Sequence, residues 1–322
     1  MYRVAVLLGV AVLPAIGGDW SPRLAADYLD ARQKQWISWP RANGDAKPCI
    51  SCHTNVPYLL ARPALRKALG EEGPTPYETA LLDSMRGRLE KKGKGAAVGV
   101  ESVFASLFLR TPAAYDRMFE LQIREGEKAG SFAWYMTDLD PWEEPESPLF
   151  GAALAAIALK QAPATYREQA EVAERTKALM TYLASEHPNQ PLQNRLAVAW
   201  ATNDDTVRRS TIAEALAKQS ADGGWSVESL GPWKTHAKAP PAIAGSSGYA
   251  TAFTALVLLR TGTPASDPKL SRALAWLRTH QDHEHGYWDG VSMNKQYEPD
   301  SVEIGFMRDA ATGWASLALL EK

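Results

Sequence analysis

Five consecutive residues, Cys49-Ile50-Ser51-Cys52-His53, gather the chain's only two cysteines beside a histidine. Two thiols at this spacing, followed at once by an imidazole, match the Cys-x-x-Cys-His attachment sequence of c-type haem. In that chemistry the thiols of Cys49 and Cys52 add to the two vinyl groups of the porphyrin, and a short helical turn presents His53 as the proximal iron ligand. The same spacing serves a redox disulfide or half of a zinc site. A thioredoxin-like motif needs a βαβ context, and zinc needs further ligands from scattered histidines. Two cysteines exclude a disulfide scaffold and a four-cysteine zinc site. The expected cofactor is therefore one covalent haem c. Trp36 and Trp39 stand just ahead of the motif and are candidates for packing against it.

Covalent haem is assembled outside the cytoplasm, and the N-terminus reads as an export leader. Met1-Tyr2-Arg3 is a short basic start, Val4–Ile16 an apolar run, and Ala15-Ile16-Gly17 a small-x-small cleavage pattern before Asp19. The run is too short for a stable transmembrane helix but suits a signal-peptide core. The expectation is a signal peptide over 1–18, a single domain over 19–322 with the haem loop at about 40–56, and a periplasmic or secreted location. The composition of the 322 residues, 45% hydrophobic and 22% charged, is that of a globular protein. A net charge of −2 gives no basic footprint for nucleic acid.

The elements that must position the motif are helical. Apolar, small-residue-rich segments recur at Val56–Leu69, Val100–Arg110, Pro148–Lys160, Asn194–Ala201, Gly248–Arg260 and Asp309–Leu320. Between them run amphipathic segments with charged faces: Leu24–Ile37, Tyr77–Lys92, Tyr115–Glu125, Tyr166–Glu186, Val207–Gln219 and Lys269–Gln281. A helix apolar all round is buried on both sides, whereas an amphipathic one keeps a face in water. Their regular alternation is the self-similarity of a repeat architecture. Six such hairpins predict an all-α (α/α)6 barrel with the haem loop at its mouth.

Local sequence carries the repeat further. Arg272–Leu277 leads to Gln281 and then Gly286-Tyr287-Trp288, and Arg208–Leu216 leads to Gln219 and then Gly223-Gly224-Trp225. Gln122 with Gly130–Trp134 is a weaker copy. A glutamine ending an outer helix can satisfy the free N–H and C=O groups of the next, glycines allow the sharp turn, and the tryptophan plugs the gap between hairpins. This pattern resembles the glutamine–tryptophan repeats of squalene-hopene cyclases and the wider terpenoid-cyclase and prenyltransferase barrel family. The resemblance covers most of Ala25–Leu320 and implies a barrel rather than cyclase activity. Where bacterial squalene cyclases carry Asp-x-Asp-Asp, this chain reads Asp138-Leu139-Asp140-Pro141. Asp204-Asp205 reads as a helix cap, and the prenyltransferase zinc ligands lack a free cysteine. Pro48–Leu65 and Phe306–Thr312 together resemble a group of secreted bacterial proteins that join one haem-attachment motif to a squalene-cyclase-like barrel.

In such a barrel the outer-to-inner connections share one mouth. That mouth receives Cys49–His53 together with Arg86–Gly95, Gly126–Ser147, His187–Gln190, Ala221–Ser247 and Asp282–Met307. Trp134, Trp142, Trp225, Trp233 and Trp288 ride on these segments and could exclude water from a haem, with Trp225 and Trp288 better placed to plug hairpin gaps. Candidates for the distal iron position are Met136, His187, His236, His283, His285, Met293 and Met307. Ring closure sets the sixth repeat beside the first, which favours Met307, with Met293, Met136 and His236 in reserve. The basic run Arg86, Arg88, Lys91, Lys92, Lys94 and the acidic set Asp138, Asp140, Glu143, Glu144, Glu146 read first as solvated loops. The expected function is that of an exported monohaem c-type cytochrome passing single electrons to or from a redox partner protein. The alternatives are a haem-dependent oxidoreductase acting on an isoprenoid- or quinone-like ligand in the barrel mouth, and a haem-bearing subunit of a membrane-bound electron-transfer complex.

Overall fold

The computed structural model describes residues 19–43, 47–91 and 93–321; the expected signal peptide lies outside the described residues. Helices alternate as the sequence predicts. The outer layer consists of α1 (Pro22–Ser38), α3 (Pro76–Arg88), α5 (Pro112–Glu120), α8 (Ala170–Glu186), α10 (Asp205–Ala217) and α12 (Pro268–Thr279). The inner layer consists of α2 (Asn55–Leu69), α4 (Ala96–Leu109), α6 (Ser147–Lys160), α9 (Leu192–Ala201), α11 (Gly248–Arg260) and α13 (Phe306–Leu320). A single extra turn, α7 (Ala164–Arg167), precedes α8 and interrupts the long helix expected over Tyr166–Glu186. Among the described residues there is no strand, only isolated bridges, and no helix is long and apolar enough to cross a membrane.

The outer helices start where local chemistry permits. α1, α3, α5 and α12 each begin with proline in the first turn, where a missing N–H costs nothing. Ser21, Thr75, Thr111 and Asp267 cap them by accepting from free backbone N–H groups. Asp204 does the same for α10, as its sequence context suggested. Two inner helices are sealed on every side, with Ser147–Leu159 of α6 and Gly248–Leu258 of α11 buried without interruption, whereas α2 exposes Pro63, Lys67 and Ala68 towards its C-terminus. α4 packs on α6, α6 on α9, α9 on α11, α11 on α13, and α13 returns to α2. The chain is an (α/α)6 toroid, closed by its last inner helix against its first.

The glutamines latch successive outer helices. The Gln122 amide donates to the Gly130 and Arg175 carbonyls, and that of Gln219 to the Gly223 and Lys269 carbonyls. Gln281 closes the ring on the first repeat. It accepts from the Ser21 N–H at 2.6 Å and donates to the Ser21 and Gly286 carbonyls. Gly286 stands at φ +86°, and a Cβ there would lie 2.2 Å from the Leu24 carbonyl oxygen. Only glycine allows the strand of loop to pass so close to α1. Trp225 and Trp288 are fully buried plugs whose indole N–H groups donate to Ala215 and Leu277 carbonyls on the outer helices.

Candidate functional site

Cys49–His53 occupies the first mouth connection, between a 3-10 turn at Pro40–Ala42 and the start of α2. The loop is pinned before any ligand is considered. The Cys49 N–H donates to Ala42 O at 2.7 Å, and the Trp36 indole donates to Cys49 O at 2.8 Å. Gln33 and Asn55 bond to each other, with Gln33 also reaching Thr54 O and Asn55 accepting from Ser51 N–H. Cys49 and Cys52 are both free thiols. Burial pushes the Cys52 thiol up, and it does the same at Cys49 against the opposing pull of Arg88. That is the reverse of a redox Cys-x-x-Cys, whose attacking thiol is lowered by an electropositive, partly exposed setting. Among the described residues no group of three or more His, Cys, Asp or Glu side chains is arranged to hold a metal ion, so a zinc site has no further ligands to draw on.

His53 is enclosed by aromatic rings. Phe306, at the start of α13, stacks on it with centroids 3.7 Å apart, and Trp36 and Trp142 approach at 5.5 and 5.9 Å. Trp39 joins the same cluster through Trp36 and Phe306. Burial, reinforced by the nearby Arg32 guanidinium, pushes His53 down to about 3, so the imidazole is neutral, as a metal ligand must be. Its Nδ1 lies 2.8 Å from the Thr54 hydroxyl, which donates to Asp309 Oδ2 at 2.7 Å. Asp309 is held in turn by Arg32 Nε and Nη2, at 2.6 and 3.0 Å, and by the Tyr28 hydroxyl. This buried network went unread in the sequence, where Asp309 appeared only as the end of an apolar helix.

Two clefts meet beside His53. The smaller, about 100 Å³, is lined by His53, Trp142, Ile304 and Phe306, and the larger, about 520 Å³, by Trp233, His236, Ile243 and Tyr249. Ser292, Met293 and Met307 border both. The structure thus brings Met307 and Met293 to the histidine, from the last inner helix and the sixth connection. α13 begins three residues earlier than the apolar pattern indicated, so Met307 is fixed in a helical turn rather than a loop. Of the other distal candidates, His236 lines the larger cleft with its Nε2 on Asp140, and three sit elsewhere. Met136 is exposed beside Lys128, His187 is bonded to Thr211 on α10, and His285 is bonded to Asp282 at the surface.

The acidic third connection departs from a solvated loop. Asp138 pairs with Lys234 at the surface, but Asp140 and Glu144 are buried. Burial, then hydrogen bonding to Asp140, pushes Glu144 up to about 9. Asp140 Oδ1 and Glu144 Oε1 are buried with no other partner among the described residues, so a protonated Glu144 donating to Asp140 would satisfy both, while His236 Nε2 meets Asp140 Oδ2 at 3.1 Å. Asn294 bonds both the N–H and the C=O of Asp140, tying the third connection to the sixth across the mouth. In the basic run, Arg88 is spent on Glu101 and the Lys47 carbonyl and Arg86 on Asp83.

The fold and site define a helical toroid with an aromatic-walled mouth. No family model matches the chain, and no curated protein matches it. Among solved structures it is similar to the GH76A α-1,6-mannanase from Salegentibacter sp. HEL1_6, with a TM-score of 0.51 and 12% identity over 93% of this chain and 99% of that one. It also matches ent-copalyl diphosphate synthase from Streptomyces platensis at a TM-score of 0.47 and 18% identity. That match covers 82% of this chain, which spans only 49% of the synthase. At such identities the mannanase likeness establishes the shared (α/α)6 fold and carries no chemistry.

Proposed function

We propose that this protein is an exported monohaem c-type cytochrome on an (α/α)6 toroid, passing single electrons to or from a redox partner protein. The observation that carries the reading is the donor set on one pinned loop: two free thiols and a neutral histidine whose Nδ1 is already engaged, leaving Nε2 for iron. The chemistry of these donors fits haem c, with Cys49 and Cys52 as thioether anchors and His53 as proximal ligand. Bound haem would supply a one-electron ferric–ferrous couple. Trp36, Trp39, Trp142 and Phe306 would exclude water from it and favour the less charged ferrous state. Met307 would approach as distal ligand through the wall that the two clefts share. Unbranched methionine side chains and the Phe306 ring are the groups that must give way to make room.

The larger cleft supports a second reading, in which the protein oxidises an apolar ligand held beside the haem. Its lining is mostly aromatic and aliphatic but includes Glu228, Lys234, Thr235 and Ser247, and His236 with Asp140 stands in its wall. A filled distal position favours the carrier, and an open one favours the enzyme.

The deciding experiment is expression with a cytochrome c maturation system. The exported protein should keep haem colour through denaturing electrophoresis, and Cys49→Ala with Cys52→Ala should abolish it. A colourless band from properly exported wild type overturns the reading.

A further inference from the structure

We propose that Thr54 and Asp309 form a positioning relay that selects which nitrogen of His53 carries the proton, fixing the ring for ligation through Nε2. The proposal rests on the haem reading and concerns two residues outside the attachment motif.

The relay follows from counting protons. Asp309 receives two guanidinium N–H groups of Arg32, the Tyr28 hydroxyl and the Thr54 hydroxyl, so it acts purely as an acceptor. Threonine has one hydroxyl proton, and the 2.7 Å contact to Asp309 uses it. Its oxygen can then only accept from His53, 2.8 Å away, and Nδ1 must carry the hydrogen. The lone pair falls on Nε2, the nitrogen remote from the backbone.

Thr54 is placed for this task at the expense of its usual one. It is the residue preceding α2, where a threonine hydroxyl ordinarily caps free N–H groups, yet it makes no such bond. Ser51 caps instead, its hydroxyl accepting from the N–H groups of Thr54 and Asn55. The hydroxyl freed by this substitution of roles is turned inward, and Thr54 and Asp309 are both fully buried. Asp309 comes from α13, 255 positions along the chain, so the relay exists only once the last hairpin has closed on the first.

A carboxylate behind the hydroxyl strengthens the bond to Nδ1–H and gives the imidazole more anionic character. Arg32 offsets the carboxylate's charge through space, so what remains is this polarisation through the hydrogen bonds. With haem bound, it would stabilise the ferric state, and its loss would raise the potential.

Full-length chains carrying Thr54→Val and Thr54→Ser test the relay by two readouts. The first is ¹⁵N NMR of labelled histidine in a Cys49→Ser, Cys52→Ser background, where no covalent haem holds Nε2. His53 should be protonated at Nδ1, and adding Thr54→Val should shift the population to Nε2–H. The second is the midpoint potential of the haem-loaded protein. Thr54→Val should shift the ferric-to-ferrous ratio about tenfold toward ferrous, ~59 mV for a one-electron couple, while Thr54→Ser stays close to wild type. An Nε2–H tautomer with Thr54 intact, or a potential in attached Thr54→Val equal to wild type, overturns the relay. Failure of wild type to attach haem removes the functional reading alone, and the tautomer measurement still judges the relay. If Thr54→Val does not fold, the tautomer of the parent chain decides.

Discussion

Replacing Gln281 by alanine probes whether the toroid is closed by one latch or by its core alone. The side chain is only 5% exposed and makes three hydrogen bonds, two that join the sixth hairpin to the first at Ser21 and one that holds its own turn at Gly286. Each contributes about 1 kcal/mol net, and truncation also strands their partners. The Ser21 N–H and carbonyl are partly exposed and recover some water, so the full desolvation penalty applies mainly to Gly286 O. The expected loss is about 2–4 kcal/mol, a large share of the ~5–15 kcal/mol that stabilises a typical domain. Gln219→Ala also removes three bonds, but from a less buried position where water replaces much of what is lost, and should cost about half as much. Urea unfolding followed by far-ultraviolet circular dichroism reads both. The midpoint should fall with the slope unchanged, because the surface exposed on unfolding is the same. A loss in Gln281→Ala below about 0.5 kcal/mol, within the range of neutral surface changes, would refute the latch.

Two further substitutions bear on the mouth. Met307→Ala in the haem-loaded protein should lose the far-red thioether–iron absorption of the ferric state and begin to bind carbon monoxide when reduced; an unchanged spectrum excludes Met307 as ligand. Met307→Leu conserves volume, so it separates lost ligation from the packing cost of about 2–5 kcal/mol expected for a buried methionine truncated to alanine. Glu144→Gln should flatten the pH profile of stability. Its raised carboxyl makes the folded state hold a proton the unfolded chain releases, so the contribution of Glu144 to stability is fullest below about 4.5 and declines as pH rises toward about 9. The variant should lose that slope when thermal unfolding is measured across this window, and a parallel profile would show that Glu144 shares no proton with Asp140.

The sequence by itself determined the alternation of buried and amphipathic helices, the glutamine–glycine–tryptophan latches and the attachment-type pentapeptide. All of these are local patterns, because helix periodicity, caps and turn residues act within a few positions of one another. It also reached Trp36 and Trp39, which stand just ahead of the motif, and it reached Met307 through the one global fact it implied: that a closed ring sets its last repeat beside its first. Boundaries were less legible. Phe306 and Met307 lie within α13 because its first turn packs on His53, which no pattern in the polar loop before it announces. Asp140 and Glu144 are likewise indistinguishable in sequence from exposed Asp138 and half-buried Glu146, and only burial sets one pair of carboxyls against each other. The Thr54–Asp309 contact lay furthest from sequence reasoning. A threonine before a helix looks like a cap and an aspartate in an apolar helix looks like an interruption; their bond exists because ring closure carries the carboxylate into a dry interior where it must find donors. Local chemistry set the parts, and tertiary closure decided which polar groups were taken from water and therefore which of them had to meet.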